Sequence, residues 1–286
     1  MMRLLSGIRF CALTCKKITM NITLGKPLAV SDKGRRSNNE DALYPQSELV
    51  SPDDRVFLVC DGVGGAERGE VASALACDIF PSFFRTFLEG VPDAHFVQRA
   101  VQYVETCFDK YIAEHPDAMG MATTMTLLYV APSSILVAHI GDSRIYQFRK
   151  GKIVFRTEDH SLINSWLKLG KITPEEAASH PQRNIILRAI QGSQHPVEAD
   201  VEILTDIEPG DVFLMCTDGV VESWPDKDLE DMFSGQSSLD NIKERIVDKC
   251  LKNSRDNFSF YLIPIDSIQK NGSFAQNVLT FLYSFV

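Results

Sequence analysis

Positive charge is scarce in this chain of 286 residues: 29 Lys and Arg stand against 38 Asp and Glu, a formal net charge of −9. A nucleic-acid-binding face needs a basic patch, so no nucleic-acid partner is expected. No run approaches the ~18 consecutive apolar residues of a membrane-spanning helix, and no membrane association is expected. No Pro-, Gly- or Ser-rich linker and no break in composition divides the chain, which favours one large domain. The seven cysteines are odd in number and lack metal-type spacing. Cys60, Cys77, Cys107, Cys216 and Cys250 fall in apolar runs and read as small buried residues. That usage excludes a disulfide scaffold and makes a reducing cytoplasm the expected compartment. The 44% hydrophobic and 23% charged content is ordinary for a globular protein.

The two ends read differently from the body. Residues 1–23 form an N-terminal extension, either disordered or lying upstream of a true start at Met20. Ser6, Gly7 and Arg9 interrupt the apolar core that a signal peptide would require. The body runs over 24–265, and 266–286 is a tail whose apolar Val278–Val286 is too short to span a membrane.

Along the body, Leu24–Val30 reads as an opening strand and Val56–Cys60 as a buried one. Gly69–Phe87 reads as a helix with Pro81 as a kink, and Asp93 caps a second with Phe96, Ala100, Val104 and Phe108 along one side. Met121–Ala131, Ser134–Ile140, Ile145–Arg149 and Lys152–Arg156 follow as strands whose short connections require antiparallel pairing. Residues 161–188 interrupt them as a surface insert. Gly170 ends a short helix there, and Thr173-Pro174-Glu175-Glu176 opens another with a capping box. Strands resume at Val197–Leu204 and Val212–Thr217, a helix runs through Leu239–Leu251, and Phe258–Ile265 closes the body. The class is α+β.

Acidic motifs sit at the ends of these apolar runs. Asn39-Glu40-Asp41 precedes one, Asp61-Gly62 follows Val56–Cys60, Asp218-Gly219 follows Val212–Thr217, and Asp256-Asn257 precedes Phe258–Ile263. Gly141-Asp142-Ser143-Arg144 separates two more. Each Asp-Gly alone is an ordinary turn. Gathered at one sheet edge, the carboxylates would repel each other and resist burial. Hard cations bound through oxygen relieve both costs, which points to Mg²⁺ or Mn²⁺. Gly62-Val63-Gly64-Gly65 with Gly69 departs from a dinucleotide loop in its glycine spacing.

These motifs, with Arg36-Ser37-Asn38 ahead of the first and Ser254-Arg255 ahead of the last, follow the order found in the metal-dependent (PPM, type-2C-like) serine/threonine protein phosphatases. The chain resembles their short bacterial members from about Leu24 to Ile265. The resemblance implies two antiparallel sheets packed face to face between helix pairs. It also implies two Mg²⁺ or Mn²⁺ ions and a third weak site, with hydrolysis of phosphoserine and phosphothreonine by in-line attack of a water or hydroxide bridging two ions. Asp61 would be shared between the two ions, with the Gly62 carbonyl on one of them. Asp218 and Asp256 would hold one ion, Asp41 and Glu40 would support the other partly through water, and Asn257 would lie behind them. Asp142 with Asp218 would form the third site, against the plain reading of Asp142 as a turn residue.

Arg36, five residues before Asp41, stands where the family keeps the arginine that binds substrate phosphate; Arg35 is its rival. Val63 stands where animal members carry a histidine acid, which leaves the proton donor unassigned. Thr123 and Thr124 read as packing and hydrogen bonding, Arg144 as an ion-pair partner, and His139 as a hydrogen-bonded core residue. His160 matches a family motif without direct chemistry, and no histidine has a partner at metal-ligand spacing. The partners implied are phosphoproteins made by a serine/threonine kinase, and the chain is expected to be a monomer. Two rival readings are an inactive phosphatase fold serving as a binding module, and a phosphohydrolase acting on small molecules.

Overall fold

Strands with alternating faces cannot leave either face wet when both are apolar, and here both faces are covered. The structure, a computed structural model, describes residues 19–63, 68–235 and 237–271. One sheet has the order β1 (Thr19–Leu24), β12 (Phe258–Asn271), β11 (Val212–Cys216), β8 (Arg144–Arg149), β9 (Lys152–Arg156), with β2 (Leu28–Asp32) also on β12. The other runs β10 (Asp200–Leu204), β7 (Ile135–Ile140), β6 (Met125–Val130), β4 (Val56–Val63), β3 (Asp41–Tyr44), with β5 (Ala122–Thr123) also on β4. The strand pairs of both sheets are antiparallel.

Parity decides which side chains go where. In β4, Phe57 and Val59 enter the layer between the sheets, against Phe213, Met215, Tyr261 and Ile263. Their neighbours Leu58 and Cys60 point the other way, into α1 (Gly69–Phe87) and α2 (Ala94–Glu114). The second sheet repeats the pattern. Phe148, Leu214, Cys216 and Phe260 face outward under α5 (Asp218–Ser223), α6 (Asp226–Phe233) and α7 (Leu239–Asn253). Burying a side chain of this size contributes about 1.5–3 kcal/mol, so this period-two division carries much of the driving force. Four layers result, α-β-β-α: the sequence pattern gives the α+β class, and the layer order is the one the family resemblance implies. α3 (Leu162–Lys168) and α4 (Pro174–Ser179) lie in the insert, where Thr173 and Glu176 form the expected capping box. An isolated bridge between Ser161 and Ile186 closes the base of that insert.

Several boundaries differ from expectation. The single opening strand is two strands, because Gly25 and Pro27 interrupt the ladder. β1 and β2 both pair with the long β12, at residues 265–271 and 258–262 respectively. The paired structure therefore extends beyond the limits expected at 24 and 265. The strand expected over Met121–Ala131 breaks at Thr124, whose amide donates to the Asp61 carbonyl at 2.8 Å. α5 and α6 were not foreseen at all. The five cysteines among the described residues are free thiols. Among those residues no helix is long and apolar enough to cross a membrane. Gly64, Gly65 and the apolar tail from Val278 lie outside the described residues.

Candidate active site

β3 and β4 pair in a register that sets Asp41 opposite Asp61, so two carboxyls share one sheet edge. The other sheet supplies Asp218, first residue of α5 directly after β11, and Asp256, just ahead of β12. Asp218 and Asp61 lie within hydrogen-bond reach of each other. Asp142 closes the group from the turn between β7 and β8. Asp41 and Asp142 are only 9% and 8% exposed. Each keeps one oxygen, Oδ1, buried without a hydrogen-bond partner.

Such orphaned oxygens are costly, and the electrostatics report the cost. Burial pushes the Asp41 carboxyl up to about 8, with Asp218 and Asp256 adding repulsion and bonds from Ser259 and Thr217 opposing it. Asp61 is raised well above the usual carboxylate range by burial, then by the charges of Asp41, Asp218, Asp142 and Asp256. Burial and Asp218 put Asp142 at about 8, and burial and Asp256 put Asp218 at about 6. Glu40 is raised by burial and Glu70. Each of these acids is destabilised as an anion by the company it keeps.

The scaffold behind them is tightly bonded. The Asn257 Oδ1 accepts the Glu40 amide at 2.9 Å, and its Nδ2 donates to the carbonyls of Lys33 and Asn38 at 2.9 and 2.8 Å. Gly62 donates to the Glu40 carbonyl at 3.0 Å. A Cβ on Gly62 would lie 2.3 Å from the Gly69 carbonyl group, so only glycine lets β4 and the start of α1 meet here. Thr123 Oγ1 donates to the Asp61 carbonyl at 2.9 Å, and Thr124 Oγ1 accepts the Asp61 amide at 3.0 Å, as the paired threonines led us to expect.

The Arg36 guanidinium donates to Asp256 Oδ2 at 2.7 Å, and this bond raises its already high pKa. Its side chain is 55% exposed, at the rim of the acid group. Arg35 turns away and donates to the Lys252 carbonyl.

A model of the family described as protein phosphatase 2C matches residues 31–254, a span that includes every one of these carboxyls except Asp256. The chain belongs to the protein phosphatase 2C family. It is 29% identical over 247 residues to the serine/threonine phosphatase stp of Listeria welshimeri, covering 84% of this chain and 96% of that protein. Among solved structures, serine/threonine phosphatase Stp1 from Staphylococcus aureus superposes with a TM-score of 0.76 at 28% identity, over 89% of this chain and 100% of that one. The catalytic domain of the phosphatase PstP, in complex with two manganese ions, gives a TM-score of 0.72 at 27% identity, over 86% and 100%.

Two features of this family member escaped the sequence reading. The first is Thr217, whose hydroxyl donates to Asp41 Oδ2 at 3.0 Å while accepting the Ser259 amide at 3.0 Å. A threonine immediately ahead of the Asp218-Gly219 motif was the only available signal. The second is the meeting of His139, His160 and Asp200, whose ligand-type atoms lie within 4.8 Å of one another. The histidines were expected to lack such partners, because the approach is made through β7, β10 and the loop after β9 rather than through sequence spacing. Arg144 forms the expected ion pair, its Nε and Nη2 each 2.7 Å from an oxygen of Asp159.

Proposed function

We propose that this chain hydrolyses phosphoserine and phosphothreonine in proteins, with two Mg²⁺ or Mn²⁺ ions held by Asp41, Asp61, Asp218, Asp256 and the Gly62 carbonyl. The observation that carries this reading is the convergence of five carboxyls with two buried, unpartnered oxygens. Among the described residues, five carboxyls with only the Arg36 guanidinium in direct contact, on Asp256, form a set of hard oxygen donors that suits hard divalent ions. When bound, such ions acidify water enough to supply hydroxide near neutral pH and align it with phosphorus.

The chain's own residues divide the remaining work. Asp61, repelled by all four neighbouring aspartates, would be the ligand shared between the ions. Asp218 and Asp256 would hold one ion, and Asp41 the other with Glu40 close by. Asn257 fixes the Glu40 backbone from behind. Asp142 with Asp218 offers a third, weaker site. Arg36, kept charged beside Asp256, takes the substrate phosphate through its planar fork. Val63 has no proton to give, so the leaving alkoxide takes its proton from water.

The substrates are products of a serine/threonine kinase, and the insert at 161–188 is the segment that would touch a protein substrate. A monomer in a reducing cytoplasm fits the acidic surface and the free, mostly buried thiols. Activity of the purified chain on a phosphothreonine peptide, with and without Mn²⁺, tests the reading. Hydrolysis that ignores Mn²⁺ or EDTA would overturn it.

A further inference from the structure

His139 on β7, Asp200 on β10 and His160 form a polar group beside the acid centre, and it is not built for a metal ion. The two imidazoles stack with centroids 4.4 Å apart and planes at 19°. Their in-plane lone pairs therefore run side by side rather than to a common point. His139 Nε2 is engaged 2.8 Å from the Glu158 carbonyl, and Asp200 Oδ1 accepts from Arg188 at 2.7 Å.

His160 is bonded on every side. Its backbone N–H donates to the Gly141 carbonyl at 2.9 Å, and its Nδ1 accepts the Gly141 amide at 3.2 Å, so the two residues close a ring. With Nδ1 accepting, the proton of the neutral imidazole sits on Nε2, which faces Asp200 Oδ2 at 3.2 Å. The His160 carbonyl accepts the Leu187 amide at 2.7 Å, at the closing end of the insert.

Gly141 has nowhere to move. Its φ is +104°, and a Cβ there would lie 2.6 Å from Thr124 Cγ2. Thr124 in turn holds the Asp61 amide and shares a 3.0 Å hydrogen bond with Ser143. Between Gly141 and Ser143 sits Asp142, with its unpartnered Oδ1. A chain of short bonds thus runs from the insert at Leu187 through His160 and Gly141 to the acids.

We propose that His160 is a positioning residue: its Nδ1 holds the Gly141 amide and so aims Asp142, while its carbonyl and Nε2 tie that turn to Leu187 and Asp200. The inference rests on the metal-dependent reading of Asp142 given above. It makes one histidine the joint through which the insert bears on the acid centre.

The test compares H160N, whose side-chain oxygen can take the place of Nδ1, with H160Q, whose longer amide reaches toward Asp200 instead. In the metal-free full chain, amide exchange at Gly141 should match the unmodified protein in H160N. In H160Q it should quicken about tenfold, the equivalent of one lost hydrogen bond. With Mn²⁺ and p-nitrophenyl phosphate, H160Q should show a lower kcat and need more Mn²⁺ for half-maximal activity, with KM unchanged; H160N should restore both. Identical exchange and Mn²⁺ response in the two variants overturns the proposal. So does an equal loss in both with the same fall in Tm, which would reduce the residue to packing against His139. Because Gly141 exchange is read without metal or substrate, an unmodified chain with no phosphatase activity would refute the reading above while the exchange result still decides the role of His160.

Discussion

The Thr217 hydroxyl donates to Asp41 Oδ2 at 3.0 Å, joining the end of one sheet to the start of a strand in the other. The same oxygen accepts the Ser259 amide, so a single hydroxyl orders both an acid of the centre and the strand that follows Asp256. Thr217→Val keeps the shape and removes both bonds. It should cost about 1–2 kcal/mol in urea unfolding and raise the Mn²⁺ concentration needed for activity. Unchanged stability and unchanged Mn²⁺ response would remove Thr217 from the account.

Metal removal gives the broadest check. EDTA should abolish phosphatase activity, and Mn²⁺ or Mg²⁺ should restore it; Ca²⁺, with its larger radius and looser geometry, should not. Asp61→Asn removes charge from the residue that all the others repel, and turnover should vanish with the fold intact by circular dichroism. A fully active Asp61→Asn enzyme would sink the assignment.

The raised carboxyls give a pH dependence with a definite sign. Asp41 and Asp142 stand at about 8 and Asp218 at about 6 in the metal-free protein. A carboxyl held above its unfolded value of about 4 contributes stability below that value and loses it as pH rises through the folded value. Thermal melts in EDTA should therefore show Tm falling between about pH 4 and about pH 8. The Tm gained on adding Mn²⁺ should grow over the same window, since the ion replaces protons. A flat EDTA profile would mean that the acids are not mutually strained.

Arg36→Ala should raise KM about tenfold or more, because a charge-assisted contact to phosphate is lost, with a smaller effect on kcat. Arg35→Ala, which loses only a bond to the Lys252 carbonyl, should leave KM unchanged. A KM rise confined to the Arg35 variant would transfer the role.

Replacing residues 166–179 with a short Gly/Ser linker removes α4 and the last three residues of α3 while leaving the Ser161–Ile186 bridge. Such a segment opens at low free energy, and fold and Mn²⁺ binding should survive its loss. Turnover of p-nitrophenyl phosphate should fall less than turnover of a phosphoprotein. Equal losses would assign the segment to the acid centre itself.

Much of this was readable in the sequence because its signals were local. Asp41, Asp61, Asp218 and Asp256 each border an apolar run, and α1 has the bounds its periodicity predicts, Gly69–Phe87. What was unreadable lay either in short elements or in long-range contacts. α5 and α6 have six and eight residues, too few turns for a periodic stripe. Yet Val220, Trp224, Leu229 and Met232 in and between them are buried against the outer face of a sheet. The Thr217–Asp41 bond spans 176 residues, and no local pattern marks it. His139 and His160 looked isolated for the same reason: their meeting depends on how β7 lies beside the loop after β9.

β12 has a further consequence for how the protein comes into being. It is the last of the described elements to be synthesised, yet it lies inside its sheet, between β11 and the N-terminal strands β1 and β2. Until it emerges from the ribosome, β1 and β2 have no neighbour to pair with and β11 has one open edge. Asp256 arrives with it, so the acid centre stays incomplete on a nascent chain. Pairing across so many residues is slow to nucleate, and the exposed edges are open to wrong partners in the meantime. Catalytic competence is thus deferred until β12 has been made, and the step that completes the sheet is the step that completes the acid centre.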